Sequence, residues 1–336
     1  MDLGHSSPLD VDFLRLGFFS SVALCSREFF LVRWVSQHSV CGAVRLPLDG
    51  SFAVHRDLGI SLEGILIMGK LEYSALVPTL NRPQLLTRLL ASLASQTRPP
   101  AEVVVVDQSD DDETRRAFES WNPPGIRKIY CRNEVKSLNL ARNRAFRECS
   151  MPLAAFFDDD LVLEQDYSEK VVRIFEGDSE LRFGGGMGTI SSSRYHFRPL
   201  ERFFLMPHEG NGKFLASGAP TYPHWIKEFT EVDFLSGGLT FWRREVFETI
   251  QFDEALIGYG YGDDLDYSFR VSRKFKLFFE PQAVCHHEDH APGKDHEALK
   301  QKVWIQNMYY LAVKNNFSRG AVFWFALGQL YRDLIH

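Results

Sequence analysis

The regular part of this sequence begins at Tyr73, where short apolar runs start to alternate with segments of helical periodicity. Tyr73-Ser74-Ala75-Leu76-Val77 reads as a strand, and Pro78-Thr79-Leu80-Asn81-Arg82-Pro83 as the loop after it. Leu85, Leu86, Leu89, Leu90 and Leu93 then share one face at helical spacing, and Pro99-Pro100 stops that segment. A β-branched strand from Glu102 to Asp107 precedes a helix from Thr114 to Trp121. Ile126 to Cys131 and Pro152 to Phe157 make the next strands, with a helix from Ser137 to Cys149 between them. This βαβαβαβ alternation predicts right-handed crossovers and a parallel sheet, hence an α/β fold.

Beyond it the pattern loosens. Glu164-Gln165-Asp166 opens a helix to Phe175, and glycine-rich Phe183 to Ile190 follows. Residues 191 to 230 have no regular period, and their aromatic content suggests a lid over a sugar or an acceptor. Val232 to Trp242 is strand-like through Ser236-Gly237-Gly238, and Arg243 to Ile250 is helical. Gly258, Gly260 and Gly262 lead into a helix from Asp263 to about Arg273, and Lys276 to Phe279 and Ala283 to Glu288 read as two strands. The run from Ala321 to Tyr331 predicts either a core helix or an amphipathic one lying at a membrane surface, being too short to span. Residues 1 to 70 keep no period and read as an irregular extension, with Met68 as a candidate natural start. Their apolar run from Phe13 to Leu24 is interrupted by Arg15 and closed by Arg27 and Glu28, so it is not read as a span. The expected divisions are an extension (1–70), a main domain (71–316) and a terminal helix (317–336).

Composition narrows the partners. With 24% charged residues, 45% hydrophobic ones and a net charge of −6, the chain has no basic field for nucleic acid. Cys25, Cys41, Cys131, Cys149 and Cys285 lack the spacing of a zinc site or a disulfide framework, which fits a reducing cytoplasm. No G-x-G-x-x-G follows the first strand, and no G-x-x-x-x-G-K-[ST] loop occurs, so two common nucleotide folds lose support.

The candidate chemistry is carboxylate. Asp158-Asp159-Asp160 ends the fourth strand, and Asp107 and Asp110 end the second, so both clusters face one edge of a parallel sheet. Adjacent carboxylates call for a divalent cation, Mg or Mn, which takes oxygen ligands and bridges to phosphates; the alternative is a solvated acidic turn. Asp110 to Asp112 serve equally as a helix cap. Asp266 is spaced to pair with Arg270, while the glycine approach and the adjacent carboxylate of Asp263 give Asp264 the better claim to chemistry. His286 and His287, near Glu288 and His290, end the last strand; His286 comes first and is the first choice as a metal or diphosphate ligand. Arg142 is either a diphosphate contact or a solvated helix-face residue.

With V-P-T-L-N-R-P, V-V-V-V-D-Q-S-D, L-A-R-N-R, F-F-D-D-D, L-S-G-G-L, F-D-E and G-D-D-L-D in that order, the chain from about Tyr73 to Asn316 resembles glycosyltransferase family 2. The resemblance implies a GT-A fold, a Rossmann-like, mostly parallel central sheet flanked by helices, and an inverting transfer from a nucleotide-sugar donor. It implies donor contacts from Pro78, Thr79, Arg82, Asp107, Asp158 and Asp159, metal contacts from Asp158 and Asp160, and a base at Asp264 with Asp263 beside it. The family commonly has Glu where Asp263 stands. The expected acceptor is a saccharide or a lipid-linked hydroxyl in cell-surface polysaccharide or glycoconjugate synthesis. The expected location is the cytoplasm, with peripheral attachment to the inner face of the membrane as an extension of it. A Mg-dependent phosphotransferase or phosphatase is the enzymatic alternative, weakened by Val162 where D-x-D-x-T wants Thr; a carbohydrate-binding module is the non-catalytic one.

Overall fold

The computed structural model describes residues 19–24, 29–36, 39–47, 70–191, 199–256, 260–287 and 294–334, with backbone alone for 19–47, 294–302 and 333–334. Expectations resting on Met68, Gly258, Glu288 and His290 lie outside these residues. The chain divides into two compact units, Met1–Lys70 and Leu71–His336. Within the first, β1 (Phe19–Leu24), β2 (Phe29–Ser36) and β3 (Ser39–Pro47) form an antiparallel meander. That differs from the irregular conformation expected there; aromatic and β-branched residues in Phe29–Ser36 suit a strand even without strict alternation.

The second unit is built on one nine-stranded sheet. β4 (Tyr73–Thr79), β5 (Glu102–Asp107), β6 (Arg127–Arg132) and β7 (Leu153–Phe157) are mutually parallel in the order β7-β4-β5-β6. Every residue of β4, β5 and β7 is buried, because helices cover both faces. Tyr73, Ala75, Val77, Val103, Val105, Ala155 and Phe157 enter one core, packed by α1 (Pro83–Ala94), α2 (Glu113–Ser120) and α4 (Tyr167–Gly177). Leu76, Val104, Val106, Ala154 and Phe156 enter the other, packed by α3 (Leu138–Glu148), α6 (Arg244–Thr249) and α7 (Asp263–Ser272). The period of two is thus present inside the continuously apolar runs. Each wholly buried leucine of α1 contributes about 1.5–3 kcal/mol of transfer free energy.

The sheet continues through antiparallel β13 (Leu239–Arg243), then β9 (Phe183–Ile190), β14 (Lys276–His287) and β12 (Thr230–Val232), while β8 (Leu161–Leu163) pairs with β14 off that path. Three boundaries differ from expectation. Strand β4 extends through Pro78 and Thr79, in register with Val106 and Asp107, since a proline whose carbonyl side alone is needed can end a strand. Lys276–His287 is one strand, its register shifting between Glu280 and Val284 where Pro281 removes a donor. Between Val232 and Leu239 the chain leaves the sheet, carrying Gly237 and Gly238 into a loop. In the expected lid, α5 (Pro199–Phe203), β10 (His208–Glu209) and β11 (Thr221–Tyr222) are short elements, and 192–198 lie outside the described residues. Helices α8 (Lys294–Lys314) and α9 (Arg319–Leu334) meet α7 in a third core of Phe234, Leu265, Met308, Leu311 and Phe325.

Candidate active site

The order of the parallel strands reverses between β4 and β7, where ligands of open α/β sheets bind at the carboxyl ends. Thr79, the last residue of β4, donates its hydroxyl to Asp159 Oδ2 at 2.7 Å. Arg82 Nη1 reaches Asp159 Oδ1 at 3.2 Å and Asp160 Oδ2 at 3.1 Å. Burial pushes Asp159 up to about 6, with the Thr79 hydrogen bond and the Arg82 charge opposing it. Asp160 is also raised, first by burial and then by the charge of Asp158. A cleft of about 330 Å³ opens here, lined by Pro78, Thr79, Arg82, Lys136, Asp158 and Asp160 among others.

Asp107 is not among the residues lining that cleft; the neighbouring Gln108 is. The Asp107 carboxylate is wholly buried, accepting from Ser109 N at 2.8 Å, Tyr130 Oη at 2.7 Å and Arg132 Nη1 at 3.1 Å. Both oxygens are committed to shaping the turn after β5 and holding Arg132. Asp110 meets Asn81 and Lys136, stitching the loops after β4 and β5 together.

A divalent cation finds a partial fit. Among the described residues no three His, Cys, Asp or Glu side chains converge as a metal cage. Asp160 Oδ1, however, is buried without a hydrogen-bond partner among the described residues and lies 3.4 Å from His287 Nε2. One or two protein ligands completed by substrate phosphates is the ordinary arrangement for Mg²⁺. The register explains why His287 is at this place: it pairs with Leu161, next to Asp160, across β14 and β8. His286, the first choice from sequence, turns instead to Ser191 Oγ at 2.6 Å and Glu164 Oε1 at 3.3 Å.

Arg142 is neither solvated nor turned toward the first cleft alone. It is 3% exposed, hydrogen-bonds Asp263 Oδ2, lies 3.5 Å from Asp158 Oδ1, and faces the Phe252 ring at 5.2 Å. The same helix fixes the segment after α6: Asn143 donates to Phe252 O at 3.0 Å and Asn139 to Asp253 O at 2.9 Å. Asp263 is pushed up to about 7, chiefly by burial, with Arg142 countering and Asp264 adding to it. Asp264 is raised for the same first reason, while Arg142 and the Leu265 and Gly237 N–H groups oppose it. Gly262, at φ +91°, supplies the left-handed entry to α7 that a side chain resists, and so aims these two carboxylates. At Gly238 a Cβ would collide with the Asp158 carboxylate, so the loop approaches that acid only because the residue is glycine.

A second cleft, of about 480 Å³, is lined by Asp158, Gly237, Asp263, Asp264, Tyr222 and Trp304 among others, with Gln329 and Arg332 of α9 in its wall. Asp158 and Leu138 belong to both clefts, which therefore adjoin. Asp266 does not line either: it pairs with Arg270 at 2.7 Å and Lys314 at 2.8 Å, tying α7 to α8. The sequence reading missed Gly237, Gly238, Lys136, Trp304 and Arg332 as site residues. The S-G-G interruption of an apolar run was the visible signal for the glycines; the others carry none.

Residues 74–251, just over half the chain, match the family described as Glycosyl transferase family 2. The chain belongs to that family. It is similar to validoxylamine A glucosyltransferase of Streptomyces hygroscopicus subsp. limoneus, 30% identical over 216 residues, covering 59% of this chain and 47% of that protein. The chain thus spans about half the length of the curated relatives it matches. In fold it is similar to S. aureus TarS 1-349 in complex with UDP-GlcNAc, at a TM-score of 0.53 and 16% identity, covering 78% of this chain and 73% of that one. A mannosyltransferase from Pyrobaculum calidifontis, in complex with GDP-Man and Mn2+, aligns at a TM-score of 0.50 and 17% identity over 77% and 69%. The family-2 chain accordingly has the GT-A architecture, a mostly parallel mixed sheet with flanking helices.

Proposed function

We propose that this family-2 protein transfers a sugar, with inversion, from a nucleotide-sugar donor in the first cleft to a hydroxyl of a saccharide or lipid-linked acceptor in the second. The observation that carries this reading is the junction: the two clefts adjoin at Asp158, with Asp159 and Asp160 on one side and Asp264 on the other. The acceptor oxygen attacks the anomeric carbon, the bond to the diphosphate breaks, the nucleoside diphosphate leaves, and the acceptor proton passes to Asp264. Attack from the face opposite the leaving group inverts the centre. Asp263, held by Arg142, orients the helix start from which Asp264 acts.

Asp160 and His287 would hold a divalent cation, Mg or Mn, with Asp158 at the junction as a further contact. When bound, it would neutralise charge on the departing diphosphate as a Lewis acid. Arg82 and Lys136 line the same cleft and would meet donor phosphates, with Pro78 and Thr79 as its floor. Asp107 supports this wall from behind rather than by contact. Family membership weighs against the phosphotransferase and binding-module readings. Nucleoside diphosphate release from a panel of UDP- and GDP-sugars, with and without saccharide acceptors, tests the proposal. Acceptor-stimulated release from at least one donor is expected; free phosphate as the product, or no release from any donor, would overturn it.

A further inference from the structure

Helix α9 presents three different faces. Val322 and Phe325 are buried, and Gln329 and Arg332 line the second cleft. Phe323 (65% exposed), Trp324, Leu330 and Tyr331 point outward. Phe203 of α5, 59% exposed, joins them: its ring lies 5.3 Å from that of Trp324, whose Nε1 donates to Phe203 O at 2.8 Å. Phe204 continues the contact to Tyr331 at 6.0 Å. Phe203, Phe204, Trp324 and Tyr331 are thus in contact, and exposed Phe323 and Leu330 sit beside Trp324 and Tyr331 on the helix, where a solvent-facing helix would carry polar residues.

Arginines surround it. Arg202 precedes Phe203, Arg319 is one helical turn before Phe323, and Arg332 follows Tyr331. Among the described residues none of the three makes an ion pair with a carboxylate, although the chain carries a net charge of −6; Arg332 donates instead to Gln329 Oε1 at 2.5 Å. Trp, Tyr and Phe backed by unpaired arginines are the chemistry of a helix lying in a headgroup layer. Among the described residues no helix is long and apolar enough to cross a membrane, so this surface fits contact rather than insertion.

We propose that the face made by Phe203, Phe323, Trp324, Leu330 and Tyr331 seats the protein on an anionic lipid surface. The apolar groups enter the headgroup boundary, and Arg202, Arg319 and Arg332 meet lipid phosphates. Because Arg332 belongs both to this rim and to the second cleft, an acceptor at the lipid surface reaches Asp264 from that side. This last consequence rests on the transferase reading; the docking does not.

Sedimentation of the full chain with vesicles of phosphatidylcholine alone, or mixed with phosphatidylglycerol, tests the docking. Binding to the mixed vesicles at low salt is expected, with weak binding to the neutral ones. Phe323→Ser with Leu330→Ser should lower partitioning about tenfold or more, because each exposed side chain loses its apolar transfer term. Arg202→Gln with Arg319→Gln should lower it by about twenty-five-fold on anionic vesicles only, at roughly fivefold per arginine. All four substituted side chains lie outside both clefts, so thermal melting and donor turnover without vesicles should stay at wild-type values. A wild-type chain that stays in the supernatant, or binding indifferent to both double variants, overturns the proposal. So does a dimer that the apolar double variant dissociates, which would make a second copy the occupant. If nucleoside diphosphate release fails in wild type while vesicle binding holds, the transferase reading falls and the docking stands.

Discussion

Arg142 is the residue on which the electrostatics of both clefts depend, since one buried guanidinium faces Asp158 and Asp263. Removing one partner of a buried pair leaves the other charge uncompensated, so Arg142→Met should destabilise the protein by about 3–5 kcal/mol in urea denaturation. A change below 1 kcal/mol, again on the scale of exposed pairs, would place Arg142 among surface contacts. The sequence offered this arginine as a diphosphate contact or a solvated side chain; it is not solvated, and its pairing partner Asp263 lies more than a hundred residues away in a helix start. Asp263 and Asp264 were legible as a pair, and the structure separates them only by neighbours that no local pattern encodes. Glu209 is a different kind of case: burial alone pushes it up to about 7, and its Oε2 has no hydrogen-bond partner among the described residues. Between the ordinary carboxylate range and about 7 the folded state holds a proton that the unfolded chain has released, so stability falls as pH rises through that window. Glu209→Gln should lack this slope, and the gap in melting temperature in its favour should widen from acid to neutral pH. Parallel curves for the two proteins would remove burial at Glu209 as the cause.

At the scale of elements, the strands and helices from Tyr73 to Phe157 were readable because each is a short apolar run or a single stripe. Their ends were less so: Pro78 and Thr79 continue β4, and the strand from Lys276 to His287 is unbroken. The choice between His286 and His287 depended on which face of β14 meets β8, which is a matter of register and not of composition. The loop with Gly237 and Gly238 was hidden inside an apolar segment, although it closes on Asp158 and Arg142. Gly238→Ala should displace the Asp158 carboxylate without unfolding the sheet. Donor KM is expected to rise at least about tenfold, the effect of a misplaced positioning contact, with circular dichroism unchanged. An unaltered donor KM would mean that the loop tolerates a methyl group and that its closeness to Asp158 has no functional weight.

Across the whole molecule, the first cleft, at the switch point of the sheet, and the second, with Trp304 of α8 and Gln329 and Arg332 of α9 in its wall, adjoin at Asp158 and Leu138. The first was legible from strand-end carboxylates. Of the second, Asp158, Asp263 and Asp264 were legible; Trp304 of α8 and Gln329 and Arg332 of α9, far along the chain, were not, and the apolar run of α9 read only as core or interface. If Asp160 and His287 hold a cation, a chelator should abolish donor turnover and Mg or Mn should restore it; turnover indifferent to chelation would remove the metal from the mechanism. Burial also raises Asp264, so if Asp264 is the base, activity should be lost as pH falls through a value above the ordinary carboxylate range, where it becomes protonated. The most direct test is acceptor-dependent nucleoside diphosphate release by Asp264→Asn measured beside donor KM. The account predicts a fall in turnover of about 10²–10⁴-fold with donor KM nearly constant. Turnover close to wild type in Asp264→Asn, with Asp263→Asn inactive yet folded, would contradict it.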